Sequence, residues 1–197
     1  MSLDPILSAA RELEDFCNER GWQFCFIGGL AVQRWGEPRF TADADLTLLT
    51  GFGDEEKFIS ALCGHFHPRR TDAHQFALQS RVVLLEANNG TPLDVALGAV
   101  PFEVNSVRRA SPFAIGEGRT LTTCSAEDLL VHKLVANREK DWIDIESVLA
   151  RQWSKLDLEL FRHEVIPLLE LKEDPETLPR FDRLFAKLKR RLGTEGD

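Results

Sequence analysis

The sequence predicts an α/β (α+β) protein, a mixed β-sheet core flanked by helices with a C-terminal helical region. Three observations lead there. The apolar run from Trp22 to Ile27 closes on Gly28-Gly29 and passes into 30–35, the pattern of strand, turn and helix. Residues 81–87 and 92–97 are apolar runs joined by Asn88-Asn89-Gly90, a strong hairpin turn. From residue 124 onward the apolar spacing is helical, which sets the boundary between a first domain at 1–123 and a helical region at 124–197.

Taken in order, Asp4-Pro5 ahead of Ile6 is a helix start, with a capping Asp and Pro in the first turn. Leu7, Leu13 and Phe16 supply its apolar stripe and Gly21 ends it, so this helix would cover one face of the sheet. Strand 22–27, helix 29–35 and strand 43–49 follow, with Glu37-Pro38-Arg39 as the turn before the last. Residues 54–62 form a helix after Gly51-Phe52-Gly53, with Phe58, Ile59 and Leu62 inward, and 65–74 form a polar surface connection. After the hairpin, 107–123 suggest one or two more short strands. Ser125-Ala126-Glu127-Asp128 is a capping box with Ser125 as N-cap, opening the helical region. A helix at 157–171 is interrupted or ended near Pro167, Glu173 to Glu176 is a boundary, and 180–192 is the last helix before a tail that reads as disordered.

Composition bounds the function. The 197 residues make one fairly large domain or two small ones, enough for a real core. No apolar run is long enough to span a bilayer, and Met1 to Pro5 lack the pattern of a signal peptide, so the expected location is cytoplasmic, with no membrane partner. Cys17, Cys25, Cys63 and Cys124 have no metal-type spacing and read as reduced structural thiols. His65, His67 and His74 invite zinc, but no Cys or Glu completes a spacing and Pro68 breaks the run, so a surface connection is preferred. Arg69 and Arg70 beside them could steer an anionic substrate. The net charge of −8 argues against a surface devoted to nucleic acid. Arg183, Lys187, Lys189 and Arg190 are locally basic, fitting either an RNA backbone or a solvated helix face.

The chemistry gathers at the first turn. Glycines let a backbone approach a ligand closely, and the helix N-terminus behind Gly28-Gly29 offers unpaired N–H groups to an anion. Downstream, Asp43-Ala44-Asp45 runs into the apolar Leu46 to Leu49, so a strand there would put both carboxylates on one face beside the glycines. Paired carboxylates repel, and a hard divalent cation relieves that repulsion. Asp94, acidic amid apolar strand neighbours, is costly to bury unless it is paired, hydrogen-bonded or bound to a metal. Glu86, at the turn end of its strand, is the other candidate for a third carboxylate, and Arg39 is either a nucleotide or acceptor contact or a solvated turn residue.

Gly28-Gly29, a spacer and Asp43-x-Asp45 on a strand resemble the signature of the nucleotidyltransferase superfamily, which includes DNA polymerase beta and the aminoglycoside and lincosamide adenylyltransferases. The superfamily often has Gly-Ser at the turn, whereas the AbiEii or MenT-like branch, the toxin half of toxin–antitoxin systems, commonly has Gly-Gly. A second stretch, Lys133 followed by Arg138-Glu139-Lys140-Asp141 and Asp144, is similar to the second motif of that branch, and the two motifs occur in the right order. The resemblance implies a nucleotidyltransferase core that transfers NMP from an NTP with Mg²⁺ or Mn²⁺ held by Asp43, Asp45 and Asp94. It also implies that Gly28, Gly29 and Lys133 hold the phosphates and that Asp141 belongs to the catalytic cluster. Asp144 would orient basic residues such as Lys140 or Arg138. The implied partners are the NTP, an RNA acceptor such as a tRNA 3′ end, and a cognate antitoxin. A small-molecule nucleotidyltransferase is the next reading and a degenerate binding module the third, the last disfavoured because all three carboxylates are present.

Overall fold

The computed structural model describes residues 4–193, so residues 194–197 of the tail expected at 193–197, the segment 1–3 and the capping side chain of Asp4 lie outside it, while Gly193 ends the last helix. The chain divides into two compact units, one of residues 1–30 and 40–124, the other of 31–39 and 125–197.

The first unit contains α1 (Asp4–Glu19), β1 (Phe24–Phe26), the start of α2 (Gly28–Trp35), β2 (Ala44–Leu49), α3 (Glu55–His65), β3 (His67–Pro68), α4 (Ala73–Ser80), β4 (Val82–Glu86), β5 (Pro92–Gly98), α5 (Pro101–Arg109), β6 (Ser111–Gly116) and β7 (Arg119–Thr123). Its strands form one seven-stranded sheet in the order β3-β4-β5-β2-β1-β7-β6. β2 pairs with β5, and β1 with β7, in parallel, while the other pairs are antiparallel, so the sheet is mixed as the sequence predicts. Side chains alternate across it. Phe24, Phe26, Leu46 and Leu48 point into a core shared with Leu13 and Phe16 of α1. Cys25 points the other way, where its Sγ lies 3.9 Å from Ser106 Oγ of α5. Asp45, the carboxylate of β2, shares that second face.

Two helices were not legible as helices. Residues 73–80 and 101–109 are α4 and α5; the polar connection expected at 65–74 and the strands expected from 107 overlap only one end of each, and the remainder carries no predicted element. Their buried faces consist of Ala73 and Ala77, and of Phe102 and Ser106, which is too little apolar side chain to leave a helical period. α5 does carry a start signal, because Pro101 occupies the first turn and Glu103 accepts hydrogen bonds from Ala99 N and Val100 N at 2.7 and 3.0 Å.

The second unit contains α6 (Ala126–Ala136), α7 (Glu139–Gln152), α8 (Leu158–Leu171) and α9 (Thr177–Gly193). Ser125 caps α6 as predicted, accepting from Asp128 N at 3.1 Å. α8 runs through Pro167 rather than ending there. Pro167 is exposed while Phe161, Val165 and Leu169 are buried, so the apolar face holds the helix together across the missing N–H. Phe161 stacks on Phe181 of α9 with ring centroids 4.5 Å apart. Among the described residues no helix is long and apolar enough to cross a membrane.

Burial pushes the imidazole of His132 on α6 down to about 4, opposed by Asp128 and reinforced by Lys133. The folded state therefore stays neutral at His132 where the unfolded chain, titrating near 6.5, already binds a proton. The contribution of His132 to stability is fully present above about pH 6.5 and falls by about 3 kcal/mol as the pH drops toward 4, at 1.36 kcal/mol per unit. Urea unfolding across that window checks it, with His132→Gln expected to lack this part of the slope.

Candidate active site

The parallel ladder between β2 and β5 sets Asp45 directly opposite Asp94. Both carboxylates consequently leave the sheet on the same face, one strand spacing apart. Asp43, two residues before Asp45, joins them, and one oxygen from each of the three lies within 4.8 Å of the others. At that distance a pair of unit charges repels by about 3 kcal/mol at an effective dielectric of about 20. Asp43 is oriented by Thr41, whose buried hydroxyl contacts Asp43 Oδ1 at 3.2 Å and the Asp43 carbonyl at 3.3 Å. Glu86 sits elsewhere, opposite Pro92 at the hairpin end of β4, so of the two candidates Asp94 is the one brought to the pair.

The glycines are explained by what lies against them. Gly28 has φ +56°, and a Cβ on it would fall 2.0 Å from Asp45 Oδ2. A Cβ on Gly29 would fall 2.2 Å from Thr41 Oγ1. The first turn of α2 thus comes down directly on the carboxylate strand, which a side chain at either position would prevent. That same closeness brings the helix start, with its N–H groups, beside the carboxylates.

Arg69 follows β3, and its guanidinium donates to Asp94 Oδ1. Burial raises the Asp94 carboxyl above the usual carboxylate range, Arg69 opposes that rise and Asp43 adds to it. Arg70 is engaged otherwise, donating to both oxygens of Asp72 at 2.7 and 2.8 Å. The histidines do not form a metal site. His65 packs 4.5 Å from the Phe16 ring, His74 Nδ1 meets Glu56 at 3.1 Å, and the group that could hold a metal among the described residues is the Asp trio.

In the second unit, Lys133 projects from α6 with 8 % of its side chain exposed. Its Nζ lies 3.0 Å from Asp141 Oδ1 and 2.7 Å from Asp144 Oδ2, and both carboxylates are buried. The i, i+3 spacing of Asp141 and Asp144 on α7 puts the two on one helix face. Asp141 also accepts from Arg138 Nε at 2.7 Å, and Asp144 accepts from Arg39 Nε and Nη2 at 2.6 and 2.8 Å. Asp144 therefore orients Arg39 and Lys133, in place of the Lys140 or Arg138 expected from the motif. Burial raises both carboxyls, but the hydrogen bonds from Arg138 and Lys133 at Asp141, and from Arg39 and Lys133 at Asp144, outweigh it and hold them below the ordinary range. The Arg39 pairing spans 105 positions, and no local pattern announces it.

A family model described as "Nucleotidyl transferase AbiEii toxin, Type IV TA system" matches residues 13–192. The chain belongs to the AbiEii nucleotidyltransferase family. The membership read from the two motifs is thus correct, and it makes the protein an enzyme of nucleotidyltransferase type. The AbiEii chain also shares its fold with an antigenic nucleotidyltransferase-like protein from Paracoccidioides brasiliensis, at 15% identity and a TM-score of 0.54, over 90% of this chain and 93% of that one. A lincomycin-bound lincosamide antibiotic adenylyltransferase aligns at 14% identity and a TM-score of 0.47, over 72% of this chain and 94% of that one. No curated protein matches the sequence.

Residues that sequence reasoning passed over in this AbiEii chain are Thr41 and the Asp94 contact of Arg69. The position of Thr41 two residues before Asp43 was the available signal. Two substitutions probe the local architecture. Gly28→Ala should cost at least about 1–2 kcal/mol from the left-handed φ alone and lower the melting temperature. Lys133→Met should cost about 3 kcal/mol, since it strips a partner from two buried carboxylates, and a denaturant titration measures it.

Proposed function

We propose that this AbiEii-family enzyme transfers a nucleoside monophosphate from an NTP to a hydroxyl at the 3′ end of a tRNA, with pyrophosphate as leaving group. The observation that carries this reading is the cross-strand placement of Asp45 opposite Asp94, with Asp43 beside them and the Gly28 turn against Asp45. Three hard carboxylate oxygens fit Mg²⁺ or Mn²⁺, ions that take oxygen donors and commonly share them with substrate phosphates. Bound there, such an ion would supply charge neutralisation and Lewis-acid activation for an in-line displacement.

The chain's own groups have distinct roles in this reading. Asp43, Asp45 and Asp94 hold the metal. Gly28 and Gly29 present backbone N–H groups to the phosphates, where a helix start favours an anion. Asp94 accepts the proton of the attacking hydroxyl or draws that hydroxyl toward the metal site. Lys133 and Arg39 are cations for the triphosphate, and Asp141 is the further acidic residue of the set. Arg39 suits this, since 41 % of its side chain is exposed while Asp144 fixes its plane. Arg183, Lys187, Lys189 and Arg190 are exposed on α9 and suit an RNA backbone. Residues 1–123 then form the catalytic domain and 124–197 the helical region, acting in the cytoplasm with a cognate antitoxin, as a type IV toxin–antitoxin family suggests.

Each of the four α-labelled NTPs is offered with a divalent metal, to total tRNA in one series and to a pool of hydroxylated small molecules in another. Label on tRNA is expected, and label on small molecules instead would give an antibiotic-type enzyme. Asp45→Asn should lower transfer by about 10³-fold with an unchanged melting temperature. A folded variant that transfers undiminished would overturn the reading.

A further inference from the structure

We infer that Arg69 is a built-in counter-ion of the carboxylate site, holding Asp94 while no divalent cation is bound and turning to anionic phosphate once one is. This rests on the metal site proposed above.

The placement of Arg69 carries the inference. Its backbone is tied down, with Arg69 N donating to Leu84 O at 3.0 Å, and Leu84 is the cross-strand partner of Asp94. The long side chain, by contrast, is held through Asp94, and the two side chains are 31 % and 32 % exposed. A fixed base, a flexible stem and open solvent at the tip allow the guanidinium to leave Asp94 without disturbing the sheet. Arg70 cannot substitute, because both oxygens of Asp72 hold it and it lies 4.4 Å from the Phe76 ring centroid.

The charges set the direction of the effect. Arg69 and a divalent cation would both be drawn to the Asp94 carboxylate, and they repel each other. A fixed positive charge on a ligand oxygen lowers the affinity of the site for a cation. The same charge, beside a loaded site, raises its affinity for a polyphosphate. Removing Arg69 should therefore tighten metal binding and loosen phosphate binding. A residue that merely positioned Asp94 would weaken both when removed.

The test uses Mn²⁺ alone, titrated into the full chain and followed by electron paramagnetic resonance, and then pyrophosphate titrated in the presence of Mn²⁺. Arg69→Met is expected to bind Mn²⁺ about tenfold more tightly than wild type and pyrophosphate about tenfold more weakly, with Arg69→Lys near wild type in both. Unchanged or weaker Mn²⁺ binding by Arg69→Met overturns the inference, and Arg69→Gln gives the same decision should the Met variant fail to fold. Asp45→Asn separates the two levels. If it loses Mn²⁺ while Arg69→Met gains nothing, the counter-ion role alone fails; if it binds Mn²⁺ like wild type, the metal site and the inference fall together.

Discussion

Carboxylates crowded within 4.8 Å of one another repel, and most of what surrounds Asp43, Asp45 and Asp94 serves to keep them there. The parallel hydrogen-bond ladder of β2 and β5 cannot slip by one residue without sending every side chain to the opposite face, so the apolar core that buries Leu46, Leu48, Leu93 and Val95 also holds Asp45 opposite Asp94. Core packing and site geometry are thus one constraint. Thr41 turns Asp43 toward its neighbours, and a side chain at position 28 would occupy the space that Asp45 needs.

The helical unit solves a comparable electrostatic problem by pairing. Two acidic residues one turn apart on α7 are buried, which would be costly without compensation, and Lys133 reaches both. Arg138 and Arg39 take up the remaining oxygens from more exposed positions. Arg39 is thereby held in a defined plane through a residue far along the chain. A cation presented to solvent but oriented from below is suited to recognising phosphate, because its donors are already fixed before any ligand arrives.

These two arrangements differ in what they ask of the protein. In the Lys133 network each buried charge is met by another, two carboxylates facing three cations. The Asp trio carries an excess of negative charge, countered in part by Arg69 at Asp94. An excess of that sign, built from hard oxygen donors, is what a divalent cation complements.

The sequence by itself determined the family and the mixed α/β class, and it pointed to Asp43, Asp45 and Asp94 as the candidate carboxylates. Its signals are local: glycines at a strand–helix turn, carboxylates two apart entering a strand, an acid amid apolar strand neighbours, and a Lys followed by spaced acids on helices. Such patterns survive because backbone conformation and side-chain alternation are set by nearest neighbours. α4 and α5 escaped because they bury alanine, serine and a single phenylalanine. Tertiary structure alone decided that Asp144 holds Arg39 and that Arg69 rests on Asp94, while strand register set Asp94, already preferred to Glu86 from the sequence, beside Asp45. Each depends on strand register or on contacts between distant segments, which arise from packing the whole core and leave no spacing in the chain to read.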